Sequence, residues 1–309
     1  MLVPSLSDLL SNEVDDNIYS SLEFLPPRTE KGEEKLWNEH LPHFMKTNPL
    51  FVDITWGAGG RTSDKTMRLS KQIQEKYGIP VNMHITCTNM PTGLLKETLN
   101  FCYENGIRNI LALRGDPPEG EEWKPNEEGF TCALDLVKFI RNTYGDYFCI
   151  TVAGYPEGHP SRIHGEDGKI TDEEMEKELN YLKAKVDAGA NVIITQLFYD
   201  AEIFIVFVKK CRNYGITVPI LPGILPISSY RSLTRMINLC KTYVPPSVLE
   251  QVVKLSEDDE ALRTYGVSQA EEMVHAIQAA DIGIKHFHFY VVNAPDVTKR
   301  ILDALNFTP

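Results

Sequence analysis

Apolar and polar positions change period repeatedly along the chain, and glycine marks each change. Stretches with apolar residues three or four apart end in Gly, one to three residues follow, and a β-rich run begins. The glycines are Gly78 (before VNMHITC), Gly106 (before NILALRG), Gly145 (before FCITVAG), Gly189 (before NVIITQLF), Gly215 (before VPILPGI) and Gly283 (before HFHFYVV). Gly just past a helix end takes a left-handed C-cap without a Cβ penalty. Two earlier runs, SSLEF (20–24) and LFVDITW (50–56), bring the expected strands to eight.

The intervening segments read as helices. The clearest is Thr171 to Ala188, where Thr171 and Glu174 form a capping box and Met175, Leu179, Leu182 and Val186 follow at helical spacing. Leu95, Leu99 and Cys102 share that period, as do Ala133, Val137 and Ile140. Strands alternating with helices predict parallel βαβ units. Eight of them predict an α/β protein of the (β/α)8 TIM barrel class, with a doubly wound open sheet as the alternative. Between Leu225 and Lys285, Pro245, Pro246 and the acidic run Glu257–Glu260 predict several short helices, an elaboration between the seventh and eighth strands. With no linker or low-complexity tract, residues 1–309 read as one barrel domain.

Charge narrows the function. A net charge of −12 disfavours nucleic acid and anionic membranes, which need a basic face. The most apolar run, Ile203–Val208, is far short of the roughly 20 residues of a membrane span. The acidic N-terminus (Asp8, Glu13, Asp15, Asp16) is unlike a signal or transit peptide. The six cysteines are scattered without a CxxC, as expected of buried thiols in a reducing cytosol. These features predict a cytoplasmic enzyme of small molecules. They leave open whether it forms a homo-oligomer.

In a barrel, chemistry gathers at the C-terminal strand ends. There the chain places Glu23, Thr55-Trp56-Gly57-Ala58-Gly59-Gly60, His84, Arg114-Gly115-Asp116, Ala153-Gly154-Tyr155, His159, Gln196, Pro222-Gly223, Tyr290 and Asn293. Strand alternation sets Ser21 and Glu23 opposite Leu22 and Phe24, so Glu23 points into the lumen. Desolvation there raises a carboxyl pKa and suits a general acid; the alternative is a structural carboxylate paired with a lumen Arg or Lys. Gly115 allows close backbone approach to a ligand, and Arg114 suits a phosphate; taken alone, the RGD triplet reads more readily as an ordinary turn with a surface salt bridge. WGAGG fails the GxGxxG test, because Thr62 stands where the third Gly belongs, which disfavours a Rossmann site. His84 and His159 lack metal-ligand spacing and read as hydrogen-bonding residues, so no metal is expected. His286 and His288, alternating with Phe287 and Phe289, read as packing residues.

Taken together and in order, LEFLPPRT (22–29), ITWGAGG (54–60), HITCTN (84–89), NILALRGDPP (109–118), VAGYPEGHP (152–160), KVDAGANVIITQLFYD (185–200), PGILPI (222–227) and HFHFY (286–290) resemble the methylenetetrahydrofolate reductases over nearly the whole chain. The resemblance implies an FAD-containing barrel that reduces 5,10-methylenetetrahydrofolate to 5-methyltetrahydrofolate with NADH or NADPH, feeding methionine synthesis. It implies Glu23 as general acid, Asp116 near flavin and pterin, and Gln196 in contact with folate and nicotinamide, with Tyr290 also at the folate. It implies a flavin lined by Thr55, Trp56, Ala58, His84, Arg114, Gly115, Asp116, Ala133, Ala153, Tyr155 and His159. Lys185 matches a contact to the FAD phosphates, and Glu178 stands at a flavin position where Asp is usual. Other departures are Cys132 for a flavin-side Tyr, Ala294 for an Arg at the folate tail, and Met236 near the place of a substrate-stacking aromatic. Eukaryotic members continue into a regulatory domain, and none is expected within residues 1–309, whether the protein is single-domain or this sequence is a piece of a longer one. A flavin barrel acting on another substrate such as proline, and a non-catalytic flavin- or folate-binding paralogue, are the rival functions.

Overall fold

The structure is a computed structural model and describes residues 3–11, 17–57, 63–117, 123–163, 170–291, 295–305 and 307. Its strands are β1 (Tyr19–Phe24), β2 (Val52–Ile54), β3 (Val81–Thr86), β4 (Asn109–Leu113), β5 (Cys149–Gly154), β6 (Val192–Thr195), β7 (Ile220–Leu221), β8 (Gly223–Ile224) and β9 (His286–Tyr290). They hydrogen-bond in the order β7-β6-β5-β4-β3-β2-β1-β9-β8. Helices follow the strands, and the registered pairs are parallel, which makes the fold class a (β/α)8 barrel. The nine strands are the eight expected, with the seventh broken into β7 and β8 at Pro222. Proline has no N–H for a ladder; its carbonyl accepts from His288 N at 3.0 Å.

The residues group into two units. The first comprises Met1–Asp16, Ser21–Ala153 and Ala184–Ile193. In β3 the apolar Val81, Met83 and Ile85 alternate with Asn82, His84 and Thr86, and all six are buried. The register aligns Glu23 with Asp53, Asp53 with Asn82, and Asn82 with Asn109. Four neighbouring strands thus present one buried polar row. Leu95, Leu99 and Cys102 are buried on helix Thr92–Glu104, and Val137 and Ile140 on helix Ala133–Tyr144. The six helix-ending glycines all have positive φ, from 57° to 111°. At Gly189 (φ 111°) the freed carbonyl accepts from Arg141 Nε at 3.0 Å and Nη2 at 2.7 Å, so the C-cap is also held by a guanidinium.

The second unit comprises Asn17–Ser20, Gly154–Lys183 and Ile194–Pro309. Helix Asp172–Asp187 begins as expected, with Glu174 N donating to Thr171 Oγ1 at 3.2 Å. The interval after β8 holds helices Tyr230–Cys240, Pro246–Lys254 and Asp259–Ala279. The last runs 21 residues, not the short helix expected. The acidic run does not break it: Asp258 caps it, accepting from Ala261 N at 3.0 Å, and Asp259 and Glu260 favour its positive N-terminal end. Leu197, Leu225, Ile227, Leu233, Val252 and Leu262 form the buried cluster beneath these helices. Among the described residues no helix is long and apolar enough to cross a membrane.

Candidate active site

In the first unit, Glu23 is a buried carboxylate on the penultimate residue of β1, and it has company that its sequence neighbours do not show. Its Oε2 lies 3.7 Å from His84 Nε2. The same nitrogen donates to Asp53 Oδ2 at 3.0 Å, and Asp53 is fully buried. Asn82 Nδ2 donates to that Oδ2 as well, at 3.0 Å, while its own Oδ1 accepts from Thr151 Oγ1 at 3.1 Å. Burial would push His84 down; the charge of Glu23, with the hydrogen bond and charge of Asp53, outweighs it and raises its pKa overall. Among the described residues, one ligand atom each of Glu23, Asp53 and His84 lie within 4.8 Å of one another.

The neighbouring strand ends carry buried polar atoms without partners. Thr55 Oγ1, Trp56 Nε1 and Thr86 Oγ1 make no hydrogen bond among the described residues. After β4, the Arg114 guanidinium lies over the Trp123 ring, 5.0 Å from its centroid, and Trp123 Nε1 donates to Thr88 Oγ1 at 2.9 Å. Gly115 has φ 85°, and a Cβ there would come within 2.7 Å of Thr86 Cβ and 2.8 Å of Thr88 Oγ1. Glycine is thus required by the backbone and by packing on the neighbouring strand end. Asp116 follows, exposed. Ala133 opens helix Ala133–Tyr144 and is buried. Cys132, at its N-cap, accepts through its carbonyl from Cys87 Sγ at 3.4 Å. The Ala153 carbonyl accepts from the buried Lys185 Nζ at 2.8 Å.

In the second unit, Tyr155 and His159 meet edge to face with centroids 4.9 Å apart. His159 Nδ1 accepts from Ser161 N at 3.2 Å, which leaves the neutral ring's proton on Nε2. Glu178 pairs with Arg162 Nε, and Glu174 with Arg162 Nη1 at 2.9 Å. Gln196 Oε1 accepts from Leu197 N at 2.8 Å. Tyr290 Oη donates to Thr195 O at 2.7 Å. Met236 packs against the cluster of Leu197 and Leu233. Ala58, Asn293 and Ala294 lie outside the described residues.

Asp53, Asn82 and Trp123 are site neighbours that sequence reasoning passed over. The alternation that turns Glu23 inward in β1 turns Asp53 and Thr55 to one face of β2, so a signal for Asp53 was present in LFVDITW.

The methylenetetrahydrofolate reductase family model matches residues 9–306. The chain is 47% identical over 289 residues to "Methylenetetrahydrofolate reductase (NADH) 1" of Zea mays, covering 93% of this chain and 48% of that protein. It thus spans about half the length of the maize relative. It is 36% identical over 297 residues to 5,10-methylenetetrahydrofolate reductase of Pectobacterium carotovorum subsp. carotovorum, covering 96% of this chain and 93% of that one. Among solved structures, a Clostridium thermocellum protein described as binding two copies of 5-methyl-5,6,7,8-tetrahydrofolic acid superposes with a TM-score of 0.62 at 14% identity, covering 92% and 93% of the two chains, and so shares the fold. With a family match across nearly its whole length and a bacterial relative aligned almost end to end, this chain belongs to the methylenetetrahydrofolate reductase family.

Proposed function

We propose that the chain reduces 5,10-methylenetetrahydrofolate to 5-methyltetrahydrofolate, with NADH or NADPH as electron donor and FAD as resident carrier, in one-carbon metabolism. The observation that carries this reading is the buried Glu23–His84–Asp53 group at the strand ends of a chain of this family.

The residues present fit FAD. Buried polar atoms without partners call for an explanation, and Thr55 Oγ1, Thr86 Oγ1 and Trp56 Nε1 are such atoms on the strand ends where the flavin is expected. Lys185, buried with its ammonium on the Ala153 carbonyl, brings a positive charge suited to a phosphate. FAD, when bound, supplies hydride transfer from nicotinamide to folate.

The chain's own part is binding, orientation and proton supply. The bridging methylene accepts hydride only when its bond to one folate nitrogen weakens, and that nitrogen leaves as an amine. A proton delivered to it from the Glu23 carboxyl stabilises the leaving group. Asp116 and Gln196 orient pterin and nicotinamide by hydrogen bonds, and Tyr290 supports the folate.

Purified protein examined by absorbance, then titrated anaerobically with NADH and NADPH, tests this. The expected result is a yellow protein with two flavin bands, bleached by a nicotinamide and restored by methylenetetrahydrofolate. A colourless protein that takes up no added FAD sinks the reading, and so does a flavin reduced by proline instead of either nicotinamide.

A further inference from the structure

Asp53 is a fully buried carboxylate in the middle of a three-residue strand, and the reaction above gives it nothing to do. Its geometry is asymmetric. Oδ2 takes both hydrogen bonds, from Asn82 Nδ2 and His84 Nε2, each at 3.0 Å. Oδ1 is buried with no partner. Glu23 approaches the same imidazole nitrogen at 3.7 Å, beyond hydrogen-bond reach. An imidazole Nε2 carries one proton, so the two carboxylates compete for it, and Asp53 has it. The backbone enforces the order: Asp53 is the registered neighbour of both Glu23 and Asn82, and the Asn82–Thr151 hydrogen bond fixes the amide that steers Oδ2.

We propose that Asp53 is a positioning residue for Glu23: by taking the Nε2 proton of His84 it keeps the imidazole from closing on Glu23, so that the Glu23 carboxyl stays directed to substrate. The role of Glu23 rests on the function proposed above; the ordering of the three groups does not. Among the described residues the charged groups facing His84 are Glu23 from β1 and Asp53 from β2, and its registered neighbour on β4 is the apolar Leu111. Replacing Asp53 by Asn removes the charge at nearly constant size. The Nε2 proton then turns to Glu23, and the 3.7 Å approach of the wild type closes to a hydrogen bond.

The test is the titration of His84, followed by NMR in protein with labelled histidine and without folate or nicotinamide. The His84 signal among the eight histidines is assigned by its loss in His84→Gln. The wild-type midpoint is expected above the ordinary 6.5. Asp53→Asn should lower it by about 1–3 pH units, the usual effect of losing an adjacent opposite charge, and Glu23→Gln should lower it less. The pH profile of folate reduction should move in Asp53→Asn. An unchanged midpoint in Asp53→Asn, or a larger fall in Glu23→Gln, overturns the proposal. If Asp53→Asn does not fold, Glu23→Gln alone decides: a midpoint that stays raised supports Asp53 as the holder, and one that falls to 6.5 or below removes it. Absence of folate turnover in the wild type would defeat the proposed function and leave this titration readable.

Discussion

Tyr290 Oη donates to the backbone carbonyl of Thr195 at 2.7 Å, and the two meet over Gly223. The carbonyl belongs to the last residue of β6, directly before Gln196, and the tyrosine closes β9. A Cβ on Gly223 would stand 2.2 Å from that carbonyl oxygen and 2.7 Å from the tyrosine hydroxyl. Glycine is therefore the residue that lets two strand ends cross. Gly223→Ala should destabilise the protein by about 1–3 kcal/mol, as overpacking does, and Tyr290→Phe by about 1 kcal/mol for the lost hydrogen bond. Because the two substitutions act on one contact, their effects in urea unfolding should not add. Wild-type stability for Gly223→Ala would show that the crossing is not tight.

Glu157 predicts a pH dependence of stability. Burial pushes its carboxyl up to about 7, against the hydrogen bond from Tyr243 N and with help from the charge of Asp200. Its Oε2 accepts that bond at 2.7 Å, while Oε1 is buried without a partner. The unfolded chain ionises near the ordinary 4.5, so between 4.5 and about 7 the folded state holds a proton that the unfolded state has lost. Stability from this group is complete below 4.5 and lost as pH rises through about 7. Glu157→Gln cannot ionise and can still accept from Tyr243. It should be more stable than wild type at pH 8, by up to about 3 kcal/mol, and close to wild type at pH 4.5. Melting temperatures of both proteins at the two pH values decide it; an equal difference at both would assign the effect to something other than ionisation.

The strands and helix ends were legible because they are written locally. A change of apolar period and a glycine at each helix end are signals within a dozen residues, and Gly78, Gly106 and Gly189 all adopt the left-handed conformation that those signals imply. The break at Pro222 follows from proline chemistry, and VPILPGI carries it openly. The length of helix Asp259–Ala279 was missed because an acidic run reads equally as a breaker or as a favourable first turn, and packing decides between them. At the site, inward orientation of Glu23 was readable from alternation. Its relation to His84 and Asp53 was not, because register between strands is set by pairing across some thirty residues of chain, which no local pattern records. Gly115 carries a similar lesson: glycine was read as room for a ligand, and the structure shows it also required by Thr86 and Thr88.

Asp116 tests the flavin reading through a potential. A negative charge near the ring disfavours the reduced anionic form. Asp116→Asn should therefore raise the midpoint potential of bound FAD. Because Asp116 is exposed, screening limits the change to on the order of 30 mV, about 1.4 kcal/mol for a two-electron couple. Folate reduction should slow more than flavin reduction. A potential equal to wild type in a dye-equilibrated spectral titration would remove Asp116 from the flavin's neighbourhood.

Glu23→Gln separates this mechanism from a generic flavin reductase. Only the folate half-reaction requires a proton on a departing nitrogen; reduction of flavin by nicotinamide does not. Glutamine keeps the size and part of the hydrogen bonding of Glu23 but has no carboxyl proton to give. Next to His84, at 3.7 Å in the wild type, it leaves in place the closer contact of the imidazole, to Asp53 at 3.0 Å. The local structure should therefore survive. The variant should still bind FAD and still be bleached by NADH or NADPH at near wild-type rate. Reoxidation of its reduced flavin by methylenetetrahydrofolate should fall by about 10²–10⁴-fold, the usual contribution of general acid catalysis, or roughly 3–5 kcal/mol in barrier. Rapid-mixing absorbance on each half-reaction separately reads both numbers. A folate half-reaction within a few-fold of wild type would mean that the proton reaches the nitrogen from another donor, and Glu23 would then be a binding residue only.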